Sequence, residues 1–260
     1  MSKVIAISNQ KGGTAKSTSS VNLGIGLARE GKKVLLIDCD SQGSMSASLG
    51  VREPDALNIA LPTIIGKLIN DEEFDKSEGI IHHEEGIDLM PCNIELAALE
   101  QTLINVMRRE FVLKQYIDLV SEDYDYIILD CMPSLGMVTI NALTAADSVL
   151  IPCQPSFLPI VGLEQLIVTI GKVKKHLNPN LNIEGVLFTI VDSRTNFSKD
   201  IIALLKENYG DNLHFFSEGI PKSVRAEEIA AEGVSIYKHD PKGKVALAYK
   251  SLVKEVLANE

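Results

Sequence analysis

The chain has 260 residues, 45% of them apolar, which is enough for one large α/β domain with a real core, and no Ser/Pro/Gly-rich linker or repeat divides it. A net charge of −10 argues against indiscriminate binding to nucleic acid or anionic membrane, so any such contact has to come from a local basic patch. No stretch approaches the roughly 20 apolar residues of a membrane span, the first residues run straight into a strand without a leader, and a cytosolic protein is expected.

VIAIS (4–8) is a short β-branched run that predicts a buried strand. NQKGGTAKSTSS (9–20) follows it, and from Lys16 the apolar positions Val21, Leu23, Ile25, Leu27 and Ala28 predict a helix ending near Gly31. A glycine turn between strand and helix aims successive backbone N–H groups into one concavity, where the positive end of the helix dipole favours a phosphate. Gly12, Gly13, Thr14 and Ala15 are the candidate cradle; Lys16 is expected to reach the β- and γ-phosphates, and the Ser17 hydroxyl to ligate magnesium. The usual pattern G-x-x-x-x-G-K-[ST] has glycine where this chain has Gln10 and Ala15. If position 15 needs a positive φ, alanine costs on the order of 1 kcal/mol there, and ATP binding is expected to survive it.

KKVLLIDCDSQG (32–43) is a strand closing on two carboxylates. In a parallel sheet the carboxyl ends of neighbouring strands share one edge, so Asp38 and Asp40 are expected to face the Lys16 loop. Asp38 is assigned to the magnesium shell, and Asp40 to orienting or deprotonating the attacking water. The alternative for both is a pair of solvated acids capping a strand. YDYIILDCMPSLG (124–136) delivers a third carboxylate, Asp130, as a further magnesium group, with Pro133, Ser134 and Gly136 in a turn suited to sense the γ-phosphate. Tyr124 and Tyr126 are strand-start packing residues.

Helical patterns run over about 94–121 and 160–176, and ADSVLIPCQPS (146–156) and IEGVLFTIVDS (183–193) predict buried parallel strands. The fold expected from this order is α/β, a doubly wound, mainly parallel sheet with helices on both faces, in one domain over 1–260. His82 and His83 lie in an acidic, loop-like HHEEG stretch read as solvated surface. Cys39, Cys92, Cys131 and Cys153 lack C-x-x-C spacing and sit in or beside apolar segments, as buried structural thiols do. In the tail, KVALAYKSLVKEVL (244–257), Leu247, Leu252, Val253 and Val256 are expected to pack on the sheet, in preference to a membrane-surface helix.

With KGGTAKST (11–18), DCDSQGS (38–44), DYIILDCMPSLG (125–136), TINALTAADSVLIP (139–152), DSRTN (192–196), IPKSVR (220–225) and DPKGKVALAY (240–249), the whole chain resembles the ParA/Soj family of partitioning ATPases. That family lies within the MinD/ParA group of deviant Walker-motif NTPases. The resemblance implies ATP and Mg²⁺ as cofactors and an ATP-sandwiched homodimer in which Lys11 reaches the partner's phosphates. It supports the roles given above to Lys16, Ser17, Asp38, Asp40 and Asp130, places the Thr18 backbone N–H near the α-phosphate, and adds Pro221 as a nucleotide contact. It further implies non-specific DNA binding through Arg194 and Arg225 with Lys222, Lys242 and Lys244, association with the nucleoid, and a centromere-binding ParB-like partner that stimulates slow hydrolysis. No N-terminal helix-turn-helix domain and no stable membrane association are expected. Glu227, Glu228 and Glu232, near Arg225 in RAEEIAAEG, oppose phosphate and favour the alternative of ordinary solvated charges. Two rivals keep the fold. A MinD-like positioning ATPase binds lipid through its last helix; a ligase of the dethiobiotin synthetase type holds a small substrate facing the γ-phosphate. An iron-protein-like electron donor lacks paired cluster ligands beyond Cys131.

Overall fold

Strand β1 (Lys3–Ile7) lies inside the sheet, paired in parallel with β5 (Tyr126–Cys131) on one side and β6 (Ser148–Cys153) on the other. The computed structural model describes residues 2–156, 159–192 and 194–259; Ser193 of the DSRTN motif lies outside them. The chain continues from β1 through α1 (Lys16–Arg29), β2 (Val34–Cys39), α2 (Ser44–Ser48), α3 (Leu61–Ile69), β3 (Ile81–His82), β4 (Asp88–Met90), α4 (Glu95–Leu103) and α5 (Val112–Val120) to β5. After β5 come α6 (Met137–Ala145), β6, α7 (Pro159–His176), β7 (Asn182–Phe188), α8 (Asn196–Tyr209), α9 (Arg225–Glu232), α10 (Ile236–His239) and α11 (Lys244–Ala258).

The seven strands are ordered β3-β4-β2-β5-β1-β6-β7, and every neighbouring pair is parallel except β3 with β4. Both faces are covered, which is why β1, β2, β5 and β6 read as unbroken apolar runs. The alternation survives underneath. Val4, Ala6, Leu35, Ile37, Ile127 and Leu129 point into one core with α3 to α8, whereas Ile5, Ile7, Val34, Leu36, Tyr126 and Ile128 point into the other with α1, α2, α9, α10 and α11. Each fully buried Leu or Ile adds roughly 1.5–3 kcal/mol of transfer free energy.

Helix α1 needs glycine to lie this close to its neighbours: a Cβ at Gly26 would stand 2.5 Å from Val253 Cγ2 and 2.6 Å from Tyr237 Oη. The same helix is tied to α11 by a buried hydroxyl pair, Ser19 Oγ to Tyr249 Oη at 3.2 Å.

Four expectations change. The helix predicted over 94–121 is two helices, broken at Arg108, whose φ is 54°. Side chains serve the backbone groups freed there: Arg109 Nη1 donates to the Ile104 carbonyl at 2.6 Å, Asn141 Nδ2 donates to the Arg109 carbonyl at 2.8 Å, and Asn141 Oδ1 accepts from Leu113 N at 3.1 Å. His82 is solvent-exposed as expected, but it stands in edge strand β3, beside Asp88 of β4, and not in a loop. The strand predicted over 183–193 stops at Phe188, because Ile190 takes a φ of 53°. Leu252, Val253 and Val256 are buried as expected, but Leu247 is 52% exposed, on the outer face of α11. Tyr126 is buried at the start of β5, and the hydroxyl of Tyr124 donates to Asp88 Oδ2 at 2.7 Å. All four cysteines are buried free thiols; burial pushes Cys131 up to about 12 and Cys153 up to about 11, with Cys39 and Cys92 raised too.

Candidate nucleotide-binding site

The strand period places the carboxylates. Asp38 and Asp130 have even numbers on strands whose even-numbered residues face α1, and they sit directly opposite each other in the β2–β5 register. Ile7 pairs with Asp130 on the other side, so the loop that leaves β1 starts beside the same carboxylate. The site follows from parity, register and one βα turn.

Within the loop, Asn9 Oδ1 accepts from Lys11 N at 3.0 Å, and Asn9 Nδ2 donates to the Pro152 carbonyl at 2.6 Å, anchoring the turn to β6. The Lys11 carbonyl accepts from Thr14 Oγ1 at 3.3 Å and from Lys16 Nζ at 3.2 Å. Gly12 and Gly13 are exposed, Ser17 and Thr18 are half-buried at the helix start, and Lys11 is half-buried. Burial lowers the pKa of Lys16, and the charge of Asp130 opposes that shift.

Ala15 has a φ of 60° and stands at the N-cap of α1 without a side-chain cap bond. The left-handed conformation costs an L-residue on the order of 1 kcal/mol, which glycine avoids at some cost in unfolded-state entropy. Ala15→Gly is therefore expected to raise the thermal midpoint of the nucleotide-free protein by about 2–4 °C per kcal/mol gained, read by differential scanning fluorimetry. A lowered midpoint refutes the strain, since the entropy cost of glycine would then stand alone.

Asp38 and Asp130 are both fully buried. Asp38 Oδ2 accepts from Ser46 N at 2.8 Å and Ser46 Oγ at 2.7 Å, and its Oδ1 accepts from Asp40 N at 3.1 Å. Asp130 Oδ1 accepts from Ser20 Oγ at 2.9 Å, and Ser17 is a further hydrogen-bonding partner. Asp130 Oδ2 has no partner. Burial raises both carboxyls above the usual carboxylate range; at Asp130 the adjacent Asp38 charge adds to the shift, while at Asp38 the Ser46 bonds oppose it. A buried carboxylate pair with an orphaned oxygen and serine hydroxyls alongside is an oxygen-donor set that suits a hard divalent cation. Asp40 is half-buried where the chain leaves β2, and its Oδ1 accepts from Gln42 N at 3.0 Å. Ser134 and Gly136 form the turn after β5, held by Thr139 Oγ1 donating to the Ser134 carbonyl at 2.8 Å.

Beside the loop is a cavity of about 250 Å³ lined by Gly13, Ala15, Thr18, Ile190, Pro221 and Tyr249 among others. Lys222 is on its rim, so Pro221 and Lys222 join the site from a segment some 200 residues downstream. Four contributors are absent from the set expected from sequence: Ser20, Ser46, Thr189 and Ile190. For Ser20 a signal exists, since four residues after Lys16 is the same face of a helix. For the other three the partner is set by tertiary structure alone.

The basic residues are less concentrated. Arg194 is 85% exposed in its side chain and forks onto Asp192, with Nε to Oδ1 at 2.9 Å and Nη2 to Oδ2 at 2.8 Å, which holds the Asp192 carboxyl down at about 2. Arg225 Nη1 donates to Glu228 Oε2 at 3.3 Å, and His239 Nε2 lies 3.1 Å from that same oxygen. Lys222, Lys242 and Lys244 are exposed. Among the described residues, no helix is long and apolar enough to cross a membrane.

Comparison with known proteins gives this arrangement a family. Residues 2–183 match the family model described as an AAA domain. The chain is 43% identical over 260 residues to the sporulation initiation inhibitor protein Soj of Bacillus subtilis, covering all of both chains. It is 36% identical to the chromosome partitioning protein ParA of Myxococcus xanthus, over 99% of this chain and 89% of that one. Among solved structures, the cobyrinic acid a,c-diamide synthase of Mycobacterium smegmatis with bound ADP and magnesium superimposes with a TM-score of 0.86 at 35% identity, over 100% of this chain and 95% of that one. The deviant phosphate loop, the paired buried carboxylates and the similarity to Soj and ParA over essentially the whole chain agree: the chain belongs to the ParA/Soj family of partitioning ATPases, within the MinD/ParA group of P-loop NTPases.

Proposed function

We propose that this chain is an ATP-driven DNA segregation switch, which dimerises on ATP, binds DNA without sequence preference and is released when a ParB-like partner stimulates hydrolysis. The observation that carries the reading is the convergence of Lys16, Asp38 and Asp130 on one face of the sheet at the N-terminus of α1, with Asp130 Oδ2 left for a cation. The Gly12 to Lys16 backbone cradles the phosphates, Lys16 supplies a desolvated ammonium to them, and the cavity beside Pro221 takes the base. Ser17, Asp38 and Asp130 hold Mg²⁺, which when bound neutralises phosphate charge. Asp40, half-buried at the strand end, aligns water and accepts its proton.

Lys11 gives the switch its dependence on the γ-phosphate. Its ammonium reaches across to the partner's nucleotide; without that negative charge two such cations approach for no return and lose hydration. Light scattering with a slowly hydrolysed ATP analogue and Mg²⁺ is expected to show a dimer for the unaltered protein. Lys11→Ala is expected to stay monomeric while binding nucleotide with nearly unchanged affinity. A Lys11→Ala protein that dimerises normally refutes the trans-lysine role.

A second reading, an ATP-dependent amide-forming ligase, is favoured by the 35% identity to the M. smegmatis synthase structure. It predicts turnover dependent on a small carboxylic acid and indifferent to DNA. DNA-dependent behaviour of the ATP-bound protein decides between the two.

A further inference from the structure

Thr189 follows the last residue of β7 and is completely buried. Its N–H donates to the Cys153 carbonyl at 3.0 Å, and its hydroxyl donates to the Thr14 carbonyl at 2.9 Å, a contact between residues 175 apart that enters the middle of the phosphate loop. The next residue, Ile190, has a φ of 53°. That conformation is strained for a β-branched side chain and persists only where the surroundings dictate it. Here they do. On the far side of Ile190, Val191 N donates to the Ile220 carbonyl at 2.9 Å and Lys222 N to the Val191 carbonyl at 3.0 Å. Ile190 is thus held between two anchored residues, and it lines the 250 Å³ cavity together with Gly13, Ala15 and Pro221.

We infer that Thr189 is a positioning residue for nucleotide binding: its hydroxyl fixes the phosphate loop through the Thr14 carbonyl, and Ile190 ties that loop to the wall of the base cavity. The inference rests on the nucleotide reading above and concerns how the two halves of the site are held together. The loop needs such a brace because Ala15 strains it from within. A base seated against Ile190 and phosphates seated over Gly13 then press on one connected unit.

The test uses ADP carrying a fluorescent ribose label, titrated with Mg²⁺ into the unaltered protein and into Thr189→Val, Thr189→Ser and Ile190→Gly. Valine keeps the shape and removes the donor, so Thr189→Val is expected to bind about tenfold more weakly, the effect of one hydrogen bond to a buried carbonyl, and serine is expected to restore affinity. Ile190→Gly is expected to weaken ADP while leaving the melting midpoint of the nucleotide-free protein unchanged or higher, because glycine relieves the strain. A purely structural role gives the opposite pattern: Thr189→Val with a lowered midpoint and unchanged affinity overturns the inference, as does failure of serine to rescue. If the unaltered protein binds no ADP, the nucleotide reading itself falls. If it binds ADP and Thr189→Val matches it, only the positioning role falls.

Discussion

Lys16→Ala is expected to lose ATP and ADP binding by about 100-fold or more, the value of a charge-assisted contact in a partly desolvated site. The ammonium is buried, its pKa is lowered by that burial, and the nearby Asp130 charge only partly offsets the cost. Lys16 has therefore shed much of its hydration on folding, so an arriving phosphate meets a donor that need not be stripped of water. The Lys11 carbonyl that accepts from Nζ is the only protein hydrogen bond described for this ammonium, and it exchanges readily for a phosphate oxygen. Calorimetry with ADP and Mg²⁺ reads the effect. The same substitution is expected to leave the nucleotide-free melting midpoint unchanged or raised, since a buried charge without full pairing contributes little to stability. Near-normal affinity in Lys16→Ala places the phosphates elsewhere.

Arg194→Ala combined with Arg225→Ala is expected to weaken binding of a non-specific duplex by the ATP-bound protein about tenfold or more at moderate salt. Each arginine already has a carboxylate, Asp192 for Arg194 and Glu228 for Arg225, so a DNA phosphate has to compete. Competition is cheap: exposed ion pairs are screened by water and contribute little, and both guanidiniums are largely exposed. A polyanion also offers many phosphates and releases counterions, which an intramolecular carboxylate does not. If each arginine meets one phosphate, a dimer loses four contacts, and the slope of log affinity against log salt is expected to become shallower by about 3 to 4. Anisotropy of a labelled duplex at several salt concentrations measures both quantities. An unchanged slope moves the DNA surface away from these residues. If no duplex is bound in any nucleotide state, the ligase reading moves to the front.

The parts of the fold that were legible in the sequence are those where chemistry punctuates an apolar run. The strands carrying Asp38 and Asp130 near their carboxyl ends and the loop reaching Lys16 announce themselves because a charged or glycine-rich turn follows a buried strand, and the sheet edge they share follows from parallel topology. The break between α4 and α5 has no such mark. No glycine or proline interrupts residues 95–120, and the turn at Arg108 depends on Asn141, which is supplied by α6. Ser46 on Asp38 and Thr189 on Thr14 are likewise contacts chosen by the folded chain, across 8 and 175 residues. Leu247 fits the helical period of α11, yet the sheet-facing stripe is narrower than the apolar pattern.

The four thiols have a practical consequence. Alkylating dyes react with thiolates at accessible sulfur, and all four native cysteines are enclosed and shifted toward the neutral thiol. The folded protein is therefore a nearly silent background for maleimide labelling. A single cysteine introduced on an exposed position such as Lys175 offers the dye its fast-reacting target, so paired fluorophores can follow association of protomers without first stripping the native sulfurs from the core. Slow labelling of the remaining thiols then clocks how often the whole sheet opens.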